Sequence, residues 1–94
     1  MEDSNEIEKI FYSYVSKVQT LENINDIDKL FLYAHYKQVL NGNNINSKPS
    51  IFNRIEMAKW KAWNDVKDVS KNDAMKNYIK KVLFLEKKGT VNET

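Results

Sequence analysis

Ala58-Lys59-Trp60-Lys61-Ala62-Trp63-Asn64 decides how this chain is read. Laid on a helix at about 100° per residue, it puts Ile55, Ala58, Ala62, Trp63 and Val66 on one side. Lys59 falls among them, while Lys61 points away. A lysine on an apolar stripe has two ordinary explanations. Its stem lies on apolar surface with the head in water, or the head meets an anion that is itself partly buried. Snorkelling is the commoner case, so the rest of the chain has to shift the balance.

The chain has 94 residues, which suits one domain, with a core over about 5–88 and a short tail at 89–94. Hydrophobic content is 41% with 12% aromatic, enough for a modest core. With no Cys there is no disulfide, thiolate metal site or cysteine nucleophile, and the single His35 builds no metal cluster. No apolar run approaches the roughly 20 residues of a membrane span. The segment Met1-Glu2-Asp3-Ser4-Asn5-Glu6 is acidic and polar, unlike a secretory signal, so a soluble cytoplasmic protein is expected. A net charge of +2 and a lone arginine, Arg54, argue against nucleic acid as a partner.

Outward from the tryptophans, Gly42, Gly89 and Pro49 divide the chain. No strong period-2 alternation appears. Ile7, Ile10, Phe11, Tyr14, Val15, Val18 and Leu21 repeat at helical spacing, which predicts a first helix over about Asn5–Gln19 with an Asp3–Glu6 capping box. A second helix is expected over Asp26–Leu40, ending at the Asn41-Gly42 C-cap signal. The third is expected over Arg54–Lys67. The fourth should run over Lys71–Lys88, capped by Ser70 with Asp73, with Ala74, Met75, Tyr78, Ile79, Val82 and Leu85 facing inward and Gly89 closing it. Four amphipathic helices and no strands make an all-α bundle.

The second helix is unusual because it carries two stripes. Ile27, Phe31 and Ala34 make the expected core face; Tyr33, Tyr36, Lys37 and Leu40 make another nearly opposite, with Leu32, His35 and Val39 between. A helix apolar on most of its circumference must be covered on most of it. Either a neighbouring helix covers the second stripe, or a ligand does. Phenols offer flat faces with polar tips and lysine a point charge, which suits an aromatic or phosphate-bearing small molecule. Residues 41–53 form a long connection, which lines a binding site, crosses to a parallel neighbour, or does both.

Catalytic chemistry is missing. Two glycines far apart build no phosphate loop, and no HExxH or GxSxG motif is present. Asp26-Ile27-Asp28 lacks the Gly and Glu of a calcium loop and reads as first-turn acids. An enzyme is not expected.

Tyr33-Ala34-His35-Tyr36-Lys37-Gln38, Gly42, Pro49, the Ala58–Asn64 segment and Ser70-Lys71-Asn72-Asp73-Ala74-Met75-Lys76-Asn77-Tyr78-Ile79 together resemble the acyl-CoA-binding protein family. The likeness runs from about Phe11 to Lys88. It implies a four-helix bundle in up-down-down-up order with a long connection between the second and third helices. It also implies a cytoplasmic monomer that carries and buffers medium- to long-chain fatty acyl-CoA esters without catalysis, needs no cofactor or metal, and touches membranes or enzymes only in passing. By position, Tyr33, Tyr36, Lys37, Lys59 and Tyr78 would meet the nucleotide end. Lys37 and Lys59 would pair with phosphate, Tyr36 would stack on adenine, and the Tyr33 and Tyr78 hydroxyls would donate to phosphate. Trp60 and Trp63 would flank the site.

The chain departs from the family pattern in places. Val15 stands where a small residue commonly faces the acyl path, and Gln19 and Ile55 stand where lysines are common. With Leu30, these are the weaker candidates for ligand contact. The altered stretch Ile51–Met57 motivates an alternative, a protein-interaction module that keeps the fold but has weakened or lost acyl-CoA binding.

Overall fold

Helix ends in this chain fall where side chains and tight turns satisfy end groups that the helix itself leaves open. The computed structural model describes the backbone of residues 2–92 and the side chains of residues 5–88. It contains α1 (Glu2–Val18), α2 (Asp26–Asn41), α3 (Arg54–Asp65) and α4 (Lys71–Asn92), with no strand among the described residues. Asn25 caps α2, its Oδ1 accepting from the Asp28 N–H at 2.8 Å. Gly42 closes α2 as expected, at φ 75°, where a side chain would be strained, and its N–H donates to the Gln38 carbonyl at 3.0 Å. Ser70 Oγ accepts from the Asp73 N–H at 3.1 Å, the expected start of α4.

Side-chain pairs fix the directions. Glu8 pairs with Lys71 at 2.6 Å and Lys17 with Glu86 at 3.0 Å, so α1 and α4 run parallel. Asp28 pairs with Lys81 at 3.1 Å, and His35 meets Asn77 at 3.4 Å, so α2 runs against α4. Trp63, late in α3, bonds Gln38, late in α2, so α3 runs parallel to α2. The order is up-down-down-up, with α4 packed on α1 and α2, and α2 packed also on α3. Phe11, Leu32, Val39, Ala74, Met75, Tyr78 and Val82 form the central core. Ile7, Tyr14, Val15, Val18, Leu21, Ile79 and Leu85 pack around it, as their spacing predicted.

Some expectations are corrected. Ile27 is 78% exposed, and the inner residues of α2 are those expected between the stripes, Leu32, His35 and Val39, joined by Ala34 and Gln38. The reason is position: α2 touches both α3 and α4, so two of its sides are covered. Phe31 is half-buried and serves α4, its ring 4.7 Å from the Lys81 ammonium. Ile10 is exposed. α3 stops at Asp65, where Val66 and Lys67 bond back to Trp63 and Asn64 in a tighter turn, and Asp68 takes φ 69°. α1 is already helical at Glu2, so Asp3 is not its N-cap; the Asp3 side chain of the expected capping box lies outside the described residues. α4 continues through Gly89 to Asn92, so Gly89 does not end it and Thr90–Asn92 are helical; residues 93 and 94 lie outside the described ones.

Candidate functional site

Residues 29, 33 and 36 of α2 follow i, i+4, i+7 spacing, which puts Lys29, Tyr33 and Tyr36 on one stripe. Two clefts open along it. The first, of about 400 Å³, is lined by the phenols Tyr33, Tyr36 and Tyr78, with Val15, Val18, Gln19 and Ile24 from α1 and the α1–α2 turn, and with Lys29 and Leu32. The second, of about 420 Å³, lies between the N-terminal halves of α2 and α3. Leu30, Ile55 and Ala58 make it apolar, and Asp26, Lys29, Tyr33 and Lys59 rim it. The two clefts share Lys29 and Tyr33.

Buried Phe11 supports the phenol cleft from behind. Its ring meets Tyr78 edge-on at 5.1 Å and stacks near Tyr36 at 6.3 Å. Tyr78 is 4% exposed, and burial first, then the neighbouring Tyr36, pushes its hydroxyl up to about 12. It therefore stays a neutral donor at any physiological pH. The Lys59 ammonium lies 5.1 Å from the Tyr33 ring centroid and 3.9 Å from a Glu56 carboxylate oxygen. Both contacts leave its N–H groups free to turn toward an anion.

Eight of the nine residues singled out from sequence therefore line one cleft or the other: Val15, Gln19, Tyr36 and Tyr78 the first, Leu30, Ile55 and Lys59 the second, and Tyr33 both. Lys37 lines neither. Its ammonium sits 5.0 Å from the Trp63 ring. Neither tryptophan lines the two clefts. Trp63 is buried, donating to Gln38 Oε1 at 3.2 Å and to the Gly42 carbonyl at 2.9 Å. Trp60 pins the long connection, its Nε1–H donating to the Asn46 carbonyl at 2.8 Å while its own carbonyl accepts from Asn44. No residue of 42–53 lines either of these two clefts, and the connection makes the crossing from α2 to its parallel neighbour α3. Lys61 is exposed.

Sequence reasoning missed Lys29, Ile24 and Val18 as cleft residues. Lys29 had a visible signal, four positions before Tyr33 and seven before Tyr36. Ile24 had none, because its place follows from the turn between α1 and α2. Among the described residues no cluster of His, Asp or Glu is placed to hold a metal, and no helix is long and apolar enough to cross a membrane.

The chain is similar over most of its length to known proteins. Residues 8–82 match the family model "Acyl CoA binding protein". Acyl-CoA-binding domain-containing protein 3 of Oryza sativa subsp. japonica is 42% identical over 84 residues, covering 88% of this chain but 54% of that longer protein. The acyl-CoA-binding protein of Ricinus communis is 42% identical over 73 residues, covering 77% of this chain and 81% of that one. The crystal structure of Oryza sativa acyl-CoA-binding protein 2 superposes with a TM-score of 0.92 at 36% identity, covering 96% of this chain and 99% of that one. The Moniliophthora perniciosa protein follows at 0.81 and 30%, covering 86% of this chain and 81% of that one. With its four-helix order and its paired clefts, the chain belongs to the acyl-CoA-binding protein family.

Proposed function

We propose that this chain is a single acyl-CoA-binding domain that carries and buffers medium- to long-chain fatty acyl-CoA esters in the cytoplasm, as a monomer and without catalysis. Family membership supports acyl-CoA binding, and the family's proteins bind their ligand rather than convert it. The observation that carries the finer reading is the pair of clefts sharing the Lys29–Tyr33 edge, one walled by phenols and the other apolar. A nucleotide thioester of a fatty acid has those two ends in that order.

The phenol cleft takes the nucleotide end. Tyr36 offers a ring face to adenine, and the Tyr33 and Tyr78 hydroxyls donate to phosphate oxygens. Lys59 contributes an ammonium from α3, and Lys37 does so on leaving the Trp63 ring. The acyl chain follows Leu30, Ile55 and Ala58. Each methylene taken out of water contributes about 0.8 kcal/mol, so affinity rises with chain length until the cleft is filled. Val15, which the resemblance puts on the acyl path, lines the phenol cleft with Gln19, so on this reading both shape the nucleotide side.

Calorimetry with a long-chain acyl-CoA, free coenzyme A and free fatty acid tests the reading. The thioester is expected to bind far more tightly than either fragment, because only it fills both clefts. Equal and feeble binding of all three would overturn the proposal. A series of acyl-CoA esters of increasing length then gives the preferred chain.

A further inference from the structure

The phenol cleft has one charged residue in its lining, Lys29. Lys59 lines only the apolar cleft, and Lys37 lines neither. A phosphate seated among three phenols therefore faces a lining whose sole cation is Lys29. That lysine also lines the apolar cleft, where the other charged residues are Asp26 and Lys59. Among the described residues Lys29 makes no ion pair, and neighbouring Asp28 is committed to Lys81 at 3.1 Å. Its side chain is exposed at the rim of both clefts, open to an anion from solvent.

The place of Lys29 selects which phosphate it meets. The clefts join at Lys29 and Tyr33, so a ligand with its ring in one and its acyl chain in the other crosses that edge with the part linking the two. In a coenzyme A thioester that part begins with the diphosphate. We infer that Lys29 binds the linking diphosphate of the acyl-CoA at the shared edge of the two clefts, supplying positive charge that Gln19 and Ile55 do not. The inference rests on the acyl-CoA reading above.

Lys29→Met tests it, because Met keeps an unbranched apolar stem and removes the charge. Affinity for a long-chain acyl-CoA is expected to fall about five- to thirty-fold, with a shallower salt dependence, and Lys29→Arg is expected to restore most of it. The same loss is expected with the thioester lacking the 3′-phosphate, since the diphosphate remains. Thermal melts of Lys29→Met are expected to match the unsubstituted protein, because Lys29 is exposed and unpaired. An unchanged or tighter affinity in Lys29→Met means that only the stem matters and overturns the inference while leaving acyl-CoA binding intact. A loss that disappears with the 3′-dephospho ligand also overturns it. An unsubstituted chain that binds no acyl-CoA overturns both readings.

Discussion

The Lys59 ammonium lies 5.1 Å from the centre of the Tyr33 ring, bridging α3 to the stripe of α2 that lines both clefts. This contact sets the resting place of a lysine on an apolar helix face. The stem is half-buried beside Ala58 in the apolar cleft, and the head rests on an aromatic face, 3.9 Å from a Glu56 carboxylate oxygen. Two residues on, Lys61 is exposed.

The pair predicts a contrast in binding. Lys59→Ala is expected to weaken acyl-CoA binding by about 1–3 kcal/mol, the scale of a charge-assisted hydrogen bond. Because the side chain is 38% exposed, the lower half of that range is expected. Lys61→Ala is expected to leave affinity unchanged within error. Titration calorimetry of both variants decides it, and equal losses would mean the assigned face of α3 is wrong.

How far the sequence carries is clearest on α2. The 3.6-residue spacing finds all four helices and most inner residues of α1 and α4, because each of those helices shows one apolar stripe. α2 carries apolar residues on more than one of its sides, and periodicity cannot rank them. Hence Ile27 looks internal and is 78% exposed, while His35 looks intermediate and is 4% exposed. Tyr33 and Tyr36 were legible because their stripe had no helix to explain it, whereas Tyr78 reads as an inner residue of α4 and entered only through the family resemblance. Lys29 was passed over despite its spacing to Tyr33 and Tyr36, because a lysine near a helix start reads as a solvated surface residue. The resting place of Lys37 on Trp63 depends on α2 and α3 running parallel, which no single helix encodes.

Tyr78 is expected to act as an uncharged donor with a late titration. Of the five tyrosines, it alone is buried with its hydroxyl pushed up to about 12. Above pH 10 the unfolded chain loses this proton while the folded chain keeps it, so stability from this group is complete below pH 10 and is lost as pH rises from there toward 12. Absorbance at the tyrosinate band is expected to show one late phase that Tyr78→Phe removes. The same variant is expected to bind acyl-CoA more weakly by about 0.5–1.5 kcal/mol, the loss of one hydrogen bond. Persistence of the late phase in Tyr78→Phe would assign it elsewhere.

His35 is expected to make the fold acid-sensitive. Its Nδ1 lies 2.9 Å from the Phe31 carbonyl, which can only accept, so Nδ1 carries the hydrogen and Nε2 accepts from Asn77 at 3.4 Å. Burial lowers its pKa, and the Phe31 carbonyl only partly offsets this. The unfolded chain takes up the proton near pH 6.5 while the folded chain does not. Stability from this group is therefore complete above pH 6.5, falls as pH drops toward the lower folded value, and is flat below it. Urea unfolding between pH 7.5 and 5 is expected to show this slope in the unsubstituted chain and a reduced one in His35→Asn, which keeps a donor near the Phe31 carbonyl. Identical slopes would remove His35 as the cause.

Gln38 is expected to hold the far end of the parallel pair together. It is 3% exposed, and its amide nitrogen donates to Asn43 Oδ1 at 2.8 Å and to the Val69 carbonyl at 3.0 Å. Its amide oxygen accepts from Trp63. Asn43 in turn accepts from the Asp68 N–H at 2.8 Å and donates to the Asp68 carboxylate at 3.0 Å, which holds Asp68 at its positive φ. Gln38→Leu is expected to destabilise the fold by about 1–3 kcal/mol, the cost of leaving buried partners unsatisfied. Gln38→Glu is expected to cost more at neutral pH, because it sets a carboxylate against two oxygen acceptors that Gln38 now satisfies. Lowering the pH should recover part of that loss as the carboxylate takes up a proton. Urea midpoints for the two variants at pH 7.5 and 5.5 decide the matter. If Gln38→Glu were as stable as Gln38→Leu at both, the network would not be a donor-dependent clamp.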